Sequence, residues 1–185
     1  MRIITGTAKG QKLFSDKKTD TRPTQDRVKE AIFNMLGSFV IECRGLDLFA
    51  GFGGLGLEAL SRGAKHFTFV EHNKANCKII KKNINLCGFK DRSKVIKDDV
   101  NNFLEKNNEK WDLVFMDPPY EKENILLILN SILKNEIIAE KGIIVVEHSK
   151  RQQISCPDRL NVIKERTYGD SGIHILGLKE EKNEN

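Results

Sequence analysis

The sequence predicts one α/β domain of the Rossmann-like type, a mainly parallel β-sheet flanked by helices and closed by an antiparallel hairpin. Three observations carry this. From Gly45 onward, short apolar runs alternate with amphipathic segments, the pattern that needs crossover helices between parallel strands. A glycine-rich stretch, Gly51-Phe52-Gly53-Gly54-Leu55-Gly56, lies between the first apolar run and the first amphipathic segment. Near the end, Gly169-Asp170-Ser171-Gly172 is a turn sequence joining two further runs.

In chain order, residues 2–14 hold short apolar stretches on either side of Gly6 and Gly10, which suits a small N-terminal β-hairpin or ribbon. A polar connector follows over 15–21. Thr24 then precedes a segment in which Val28, Ile32, Met35 and Leu36 recur at helical spacing, so a helix with a capped start is expected. Residues 46–50, 66–71, 94–97, 111–116 and 142–147 read as five strands, and 55–62, 74–86, 100–107 and 124–133 as the helices between them. Residues 161–168 and 173–178 form the closing hairpin. The expected division is an arm over 1–21, one catalytic domain over 22–180 and a frayed tail over 181–185. A chain of 185 residues is long enough for one such domain and too short for two.

No stretch approaches the roughly 20 apolar residues of a membrane helix, and the start, Met-Arg-Ile-Ile-Thr-Gly, lacks the pattern of a secretory signal. A cytoplasmic protein is expected, with no membrane partner. Cys43, Cys77, Cys87 and Cys156 form no C-x-x-C pair and have no histidine at zinc-ligand spacing, so reduced thiols and no metal site are expected. The net charge of +5 is concentrated at one end: residues 1–22 carry Arg2, Lys9, Lys12, Lys17, Lys18 and Arg22 against Asp16 and Asp20. Clustered cations of this kind suit an acidic polymer, since phosphate neutralisation dominates nucleic-acid affinity. A solvated basic tail is the alternative.

The chemistry-bearing residues follow the strand ends. The glycine stretch matches G-x-G-x-x-G after a strand and before a helix, where backbone amides can approach a ligand closely. Asp47 lies in the strand before it, and Glu71 ends the next strand, where a carboxylate can accept both hydroxyls of a ribose. A nucleoside-containing cofactor follows from the three together. Asp98-Asp99-Val100 closes the third strand. One of these acids could accept from an adenine amino group; Asp99 is preferred because it stands at the exit beside a small apolar residue, and loop capping explains either acid equally well. Asp117-Pro118-Pro119-Tyr120 follows the apolar strand 111–116 directly. Two prolines hold the chain extended and donate no hydrogen bonds, so Asp117 and the Pro118 carbonyl present two acceptors to one point. An exocyclic amine is a poor nucleophile because its lone pair is delocalised into the ring. Accepting both its hydrogens localises that pair, and Tyr120 can stack on the base. The pattern fits transfer of an activated sulfonium methyl, catalysed by positioning and without a metal.

The chain resembles the class I Rossmann-like methyltransferases, and more closely the RsmD family of bacterial 16S ribosomal RNA guanine-N2 methyltransferases. The resemblance rests on Arg2-Ile3-Ile4-Thr5-Gly6, the segment 22–34 beginning Arg22-Pro23-Thr24-Gln25-Asp26-Arg27-Val28, Leu46-Asp47-Leu48-Phe49-Ala50-Gly51, the segment 56–64, Asp117-Pro118-Pro119-Tyr120 and Tyr168-Gly169-Asp170. The R-P-T-x-D-R-V segment is the most family-specific of these. The resemblance implies a seven-stranded sheet and S-adenosyl-L-methionine as cofactor. It implies cofactor contacts from Asp47, Phe49, Ala50, Gly51, Gly53, Glu71, Asp99 and Val100, and a catalytic loop of Asp117, Pro118, Pro119 and Tyr120. It also implies 16S RNA in the small ribosomal subunit or an assembly intermediate as substrate, gripped through Arg2, Lys9, Lys12 and Arg22. A monomer is the default expectation for a single small domain. Lys9 and Lys12 stand where the family tends to place arginines, which keeps phosphate attraction but weakens bidentate readout. Phe52 replaces a small residue of the glycine loop. Thr24 and Arg27 are implied near the pocket, with a helix cap and surface charge as the alternatives. His148 follows the fifth strand, where packing or solvation explains it as well as catalysis does. Adenine N6 in DNA or RNA is the competing target, because it offers a similar planar amine.

Overall fold

The central apolar runs become strands covered on both faces, as a parallel sheet between helices requires. The computed structural model describes residues 1–15, 23–119 and 124–180. The elements are α1 (Pro23–Leu36), β1 (Arg44–Leu48), α2 (Gly54–Ser61), β2 (His66–Val70), α3 (Lys74–Cys87), β3 (Ser93–Ile96), α4 (Val100–Lys106), β4 (Trp111–Met116), α5 (Ile125–Lys134), β5 (Ile138–Ser149), β6 (Leu160–Tyr168) and β7 (Ser171–Leu178). One seven-stranded sheet runs in the order β3-β2-β1-β4-β5-β7-β6. Strands β1 to β5 are parallel, and β7 is antiparallel to both β5 and β6. The chain steps outward from β1 to β3 and then returns to β4 on the other side of β1. The crevice beyond the carboxyl ends of β1 and β4 is therefore the switch point at which open α/β sheets bind ligands.

Alternation along each strand divides the core in two. On one face Phe67, Phe69 and Phe115 pack with Ile32 and Phe33 of α1, Leu57 and Leu60 of α2 and Ile80 and Ile84 of α3. Phe115 stacks on Phe67 at 5.6 Å between centroids and meets Phe33 edge-on at 5.7 Å. On the other face Leu46, Leu48, Val114, Met116 and Val146 pack with Phe103 and Leu104 of α4 and Ile128, Leu129 and Ile132 of α5. Each such aliphatic side chain contributes about 1.5–3 kcal/mol by leaving water. Helix α3 shows why these segments start and stop where they do: Asn73 caps its first turn through bonds from the Ala75 and Asn76 amides, and Gly88, at φ 72°, closes it in the left-handed conformation.

Two expectations change in detail. Thr24 lies inside α1 instead of before it, because Pro23 takes the first helical position, where a missing N–H costs nothing. The N-terminal hairpin exists in reduced form. The chain doubles back through one antiparallel bridge, Arg2 to Lys12, with Ile3 N–H donating to Gln11, Gly10 to Ile3 and Leu13 to Met1. Several of its other backbone groups turn to α2 instead of to a second strand. Ile4 and Thr5 N–H donate to Glu58 at 2.7 and 3.0 Å, Ala8 N–H donates to the Ser61 hydroxyl, and that hydroxyl donates to the Thr5 carbonyl at 2.6 Å. Gly6 is obligatory here, since a Cβ would stand 1.8 Å from the Ser61 carbonyl oxygen. The tail 181–185 lies outside the described residues.

Candidate active site

The turn after β1 is bent sharply. Phe49 has φ 60°, a conformation rare for a side chain of its size, and Gly51 and Gly53 have φ 55° and 82°. The Ala50 amide stays bound to the Val70 carbonyl at 3.0 Å, and Gly53 N–H donates back to Ala50 at 2.7 Å. Helix α2 then opens with no side-chain cap. Gly56 lets that helix lie against β2, because a Cβ there would come within 2.4 Å of the Phe69 ring.

Four carboxylates stand at or near the carboxyl ends of β1 to β4. Asp47, only 3% exposed, accepts from Gly56 N–H at 3.0 Å. Burial pushes its acid up to about 7; the Gly56 bond opposes that shift and nearby Glu71 adds to it. Glu71, 4% exposed, braces the loop by accepting from Gly51 N–H at 2.9 Å and Asn73 N–H at 2.7 Å. Asp99 caps α4: its Oδ1 accepts from Asn101 and Asn102 N–H, while its own N–H donates to Asp98. The capping alternative for Asp99 is thus realised, and Val100 is buried in the first turn beneath it. The fourth acid is Asp117.

Asp117, Pro118 and Pro119 leave β4 as an irregular segment, with Pro118 buried and Asp117 open to water on one side. The Asp117 acid is pushed well above the ordinary carboxylate range, by loss of solvent first and then by the like charges of Glu147 and Asp47. Water on the open side limits the size of that shift and not its direction. Tyr120 and Arg22 lie outside the described residues. The structure therefore brings Asp47, Phe49, Ala50, Gly51, Gly53, Glu71, Asp99, Val100, Asp117, Pro118 and Pro119 to the carboxyl edges of β1 to β4. It sets Lys9 and Lys12 apart from them, exposed on an open groove between the N-terminal loop and the end of α3. Arg2 is exposed and pairs with Asp26 at 3.4 Å.

The family model described as "Conserved hypothetical protein 95" matches residues 1–177. The ribosomal RNA small subunit methyltransferase D of Haemophilus influenzae is 36% identical over 172 residues, covering 91% of this chain and 89% of that protein. Its namesake from Escherichia coli is 35% identical and covers 80% of this chain and 74% of that protein. The chain belongs to the ribosomal RNA small subunit methyltransferase D family. A solved structure of the Escherichia coli protein yhhF superposes on this member of the family with a TM-score of 0.87 at 30% identity, covering 98% of this chain and 99% of that one. The strand order and the three-layer arrangement are those of the class I methyltransferase fold, as the glycine turn and Asp-Pro-Pro-Tyr imply.

Several residues that hold this family member's site together escape a reading of the sequence. Asn83 of α3, fully buried, ties the N-terminal loop to the glycine turn: its Oδ1 accepts from Phe14 N–H at 2.7 Å, and its Nδ2 donates to the Phe14 and Phe52 carbonyls at 3.0 Å each. Phe52 thus contributes its backbone, which any residue would supply. Glu147, in the last part of β5 and close to Asp117, accepts from the Ser171 hydroxyl at 2.9 Å. His148 packs away from the crevice, bonded to His174 at 2.9 Å and to the Ser149 carbonyl at 2.7 Å, and burial holds its pKa low. Among the described residues no cluster of three or more metal-ligating side chains occurs, and no helix is long and apolar enough to cross a membrane.

Proposed function

We propose that this chain transfers a methyl group from S-adenosyl-L-methionine to the exocyclic N2 amine of a guanine in the 16S RNA of the small ribosomal subunit. The observation that carries the reading is the adjacency of the Asp117-Pro118-Pro119 segment, at the end of β4, and the glycine turn, at the end of β1, across the switch point of the sheet. The similarity to ribosomal RNA small subunit methyltransferases supports the ribosomal RNA substrate.

The residues present fit the cofactor. A Cβ at Gly51 would meet only the Phe49 carbonyl oxygen, at 3.9 Å, so the backbone there is open to close approach. Glu71 supplies carboxylate acceptors for ribose hydroxyls, and Asp99 with the Val100 amide supplies an acceptor and a donor for an adenine edge. When bound, the cofactor supplies a methyl group already activated on a sulfonium. Asp117 and the Pro118 carbonyl then accept the two N–H groups of the target amine, which localises its lone pair and aligns it with the methyl. Asp117 stabilises the positive charge that develops on nitrogen and takes the released proton. Lys9 and Lys12 attract the phosphate backbone from the N-terminal loop.

The test is transfer of labelled methyl to small subunits lacking the modification, followed by nucleoside analysis. Label in N2-methylguanosine is expected. Label in N6-methyladenosine would replace the target, and no label in RNA would overturn the reading.

A further inference from the structure

The reaction as proposed uses Asp117 alone among the acids at the end of β4, yet a second carboxyl stands beside it. The β4–β5 ladder ends at Met116 level with Val146, so Asp117 and Glu147 are the next residues of the two chains, and Glu147 is close enough to act on Asp117 by its charge. Alternation settles the face of Glu147: Val145 and Ile173, the residue of β7 level with Glu147, belong to the core of Phe115, so Glu147 lies on that side, where α1 packs and where Asp47, level with Phe115, also lies. Glu147 is half-buried, and the Ser171 hydroxyl of β7 fixes it from the neighbouring strand at 2.9 Å.

We propose that Glu147 is a positioning residue for the methyl transfer, acting through Asp117 as the second carboxyl of an acid pair that Ser171 anchors. This rests on the methyl-transfer reading above. In the reaction the N2 lone pair forms the new N–C bond, the S–C bond breaks with its electrons left on sulfur, and one proton leaves N2 for the Asp117 carboxylate and then for water. Two carboxyls this close cannot both carry full charge cheaply, so the pair holds a proton that either oxygen set can carry. Glu147 thereby makes Asp117 a better proton acceptor than an isolated surface aspartate. The shift at Asp117 agrees in direction, with Glu147 the first of the charged neighbours acting on it. Glu147 is itself raised, by loss of solvent, with the Ser171 bond opposing. The charged groups that the described residues bring to Asp117 are Glu147 from β5 and Asp47 from β1.

The obvious alternative is that Glu147 merely accepts from Ser171 and closes the β5–β7 ladder. E147Q separates the two, because glutamine keeps an acceptor for Ser171 and removes the charge. With the whole chain, small subunits and saturating cofactor, the account expects E147Q to lower kcat about three- to tenfold, with the KM for the subunit unchanged. The acid limb of the kcat profile, which rises as Asp117 loses its proton, should move to lower pH by about one unit, and E147D should restore it in part. Carboxyl-carbon NMR of Asp117 in the protein alone reads the same displacement without substrate. An Asp117 titration that E147Q leaves in place would overturn the inference, whether or not the RNA assignment stands. Failure of the parent chain to methylate RNA, with the NMR midpoint moving as stated, would sink the proposed function and leave the acid pair intact.

Discussion

Two groups of acids, Glu58 beneath the N-terminal loop and those at the ends of β1, β4 and β5, are treated in opposite ways. Glu58, fully buried under the N-terminal loop, is surrounded by donors: the Ile4 and Thr5 amides, Arg62 Nε at 2.8 Å and Lys29 Nζ at 3.7 Å. Toward the crevice the charged neighbours are acids, Glu71 acting on Asp47 and Glu147 and Asp47 acting on Asp117, and Asp47, Asp117 and Glu147 are all pushed upward, by loss of solvent first. A carboxylate that is fully paired holds a fold together. Carboxyls held above their ordinary range by lost solvent and like charge are costly to the fold, and such groups cluster where chemistry needs them.

The sharpest way to break this contrast is E58A. It would strand Lys29 and Arg62 and leave the Ile4 and Thr5 amides unpaired, so a loss of about 3–5 kcal/mol is expected in urea unfolding. Lys29 shows what is at stake: it is 5% exposed, its pKa is lowered by burial, and Glu58 opposes that shift. A loss under about 1 kcal/mol would mean that Glu58 is not the anchor described.

Asp47 should behave in the opposite sense. Its folded pKa of about 7 lies above the value of about 3.9 in an unfolded chain, so the folded state holds the proton more tightly. The resulting stabilisation is complete below about pH 4 and is lost as pH rises through 7. D47N keeps an acceptor for Gly56 and removes the titration, and its stability should fall less between pH 5 and 7 than the parent's, by on the order of 1–3 kcal/mol. Parallel stability curves would show that Asp47 does not titrate in this range.

The two regions meet at Asn83. N83A should cost about 1–3 kcal/mol and weaken cofactor affinity measured by calorimetry, because the Phe14 and Phe52 carbonyls lose a shared donor. Unchanged affinity would show that the loop and the turn are independent. The smallest effect is expected at the open groove. K9Q/K12Q should weaken binding of small-subunit RNA and reduce the slope of log affinity against log salt by about one to two, read by filter binding over a salt series. An unchanged slope would move the RNA contact away from that loop.

How much of this was legible follows the same contrast. The parallel sheet was, because β1 to β4 are short apolar runs bounded by Gly, Asn and Asp. β5 was read short: its opening turn-like stretch carries exposed Glu140 and Lys141, and pairing with Trp111 through an irregular register extends it to Ile138. The placement of Asp117, Glu71 and the glycine turn was legible because each directly follows an apolar run that becomes a strand. Asp99 was half legible, since capping and adenine contact ask for the same residue at the same place. Glu58, Asn83 and Glu147 were not, because their partners lie 54, 69 and 24 residues away in the chain and only the fold brings them together. The N-terminal hairpin was overdrawn for the same reason: its backbone donors are claimed by α2, which local pattern does not reveal.

The most direct test of the account is D117A in single-turnover methyl transfer to unmodified small subunits with cofactor saturating, alongside a melting curve. The crevice reading predicts transfer slowed by about 10²–10³-fold with the melting temperature held or raised, since an acid kept above its ordinary pKa is a burden on the folded state. Transfer within threefold of the parent's would contradict it, and Asp117 would then be a strand-ending turn residue and not the group that receives the amine.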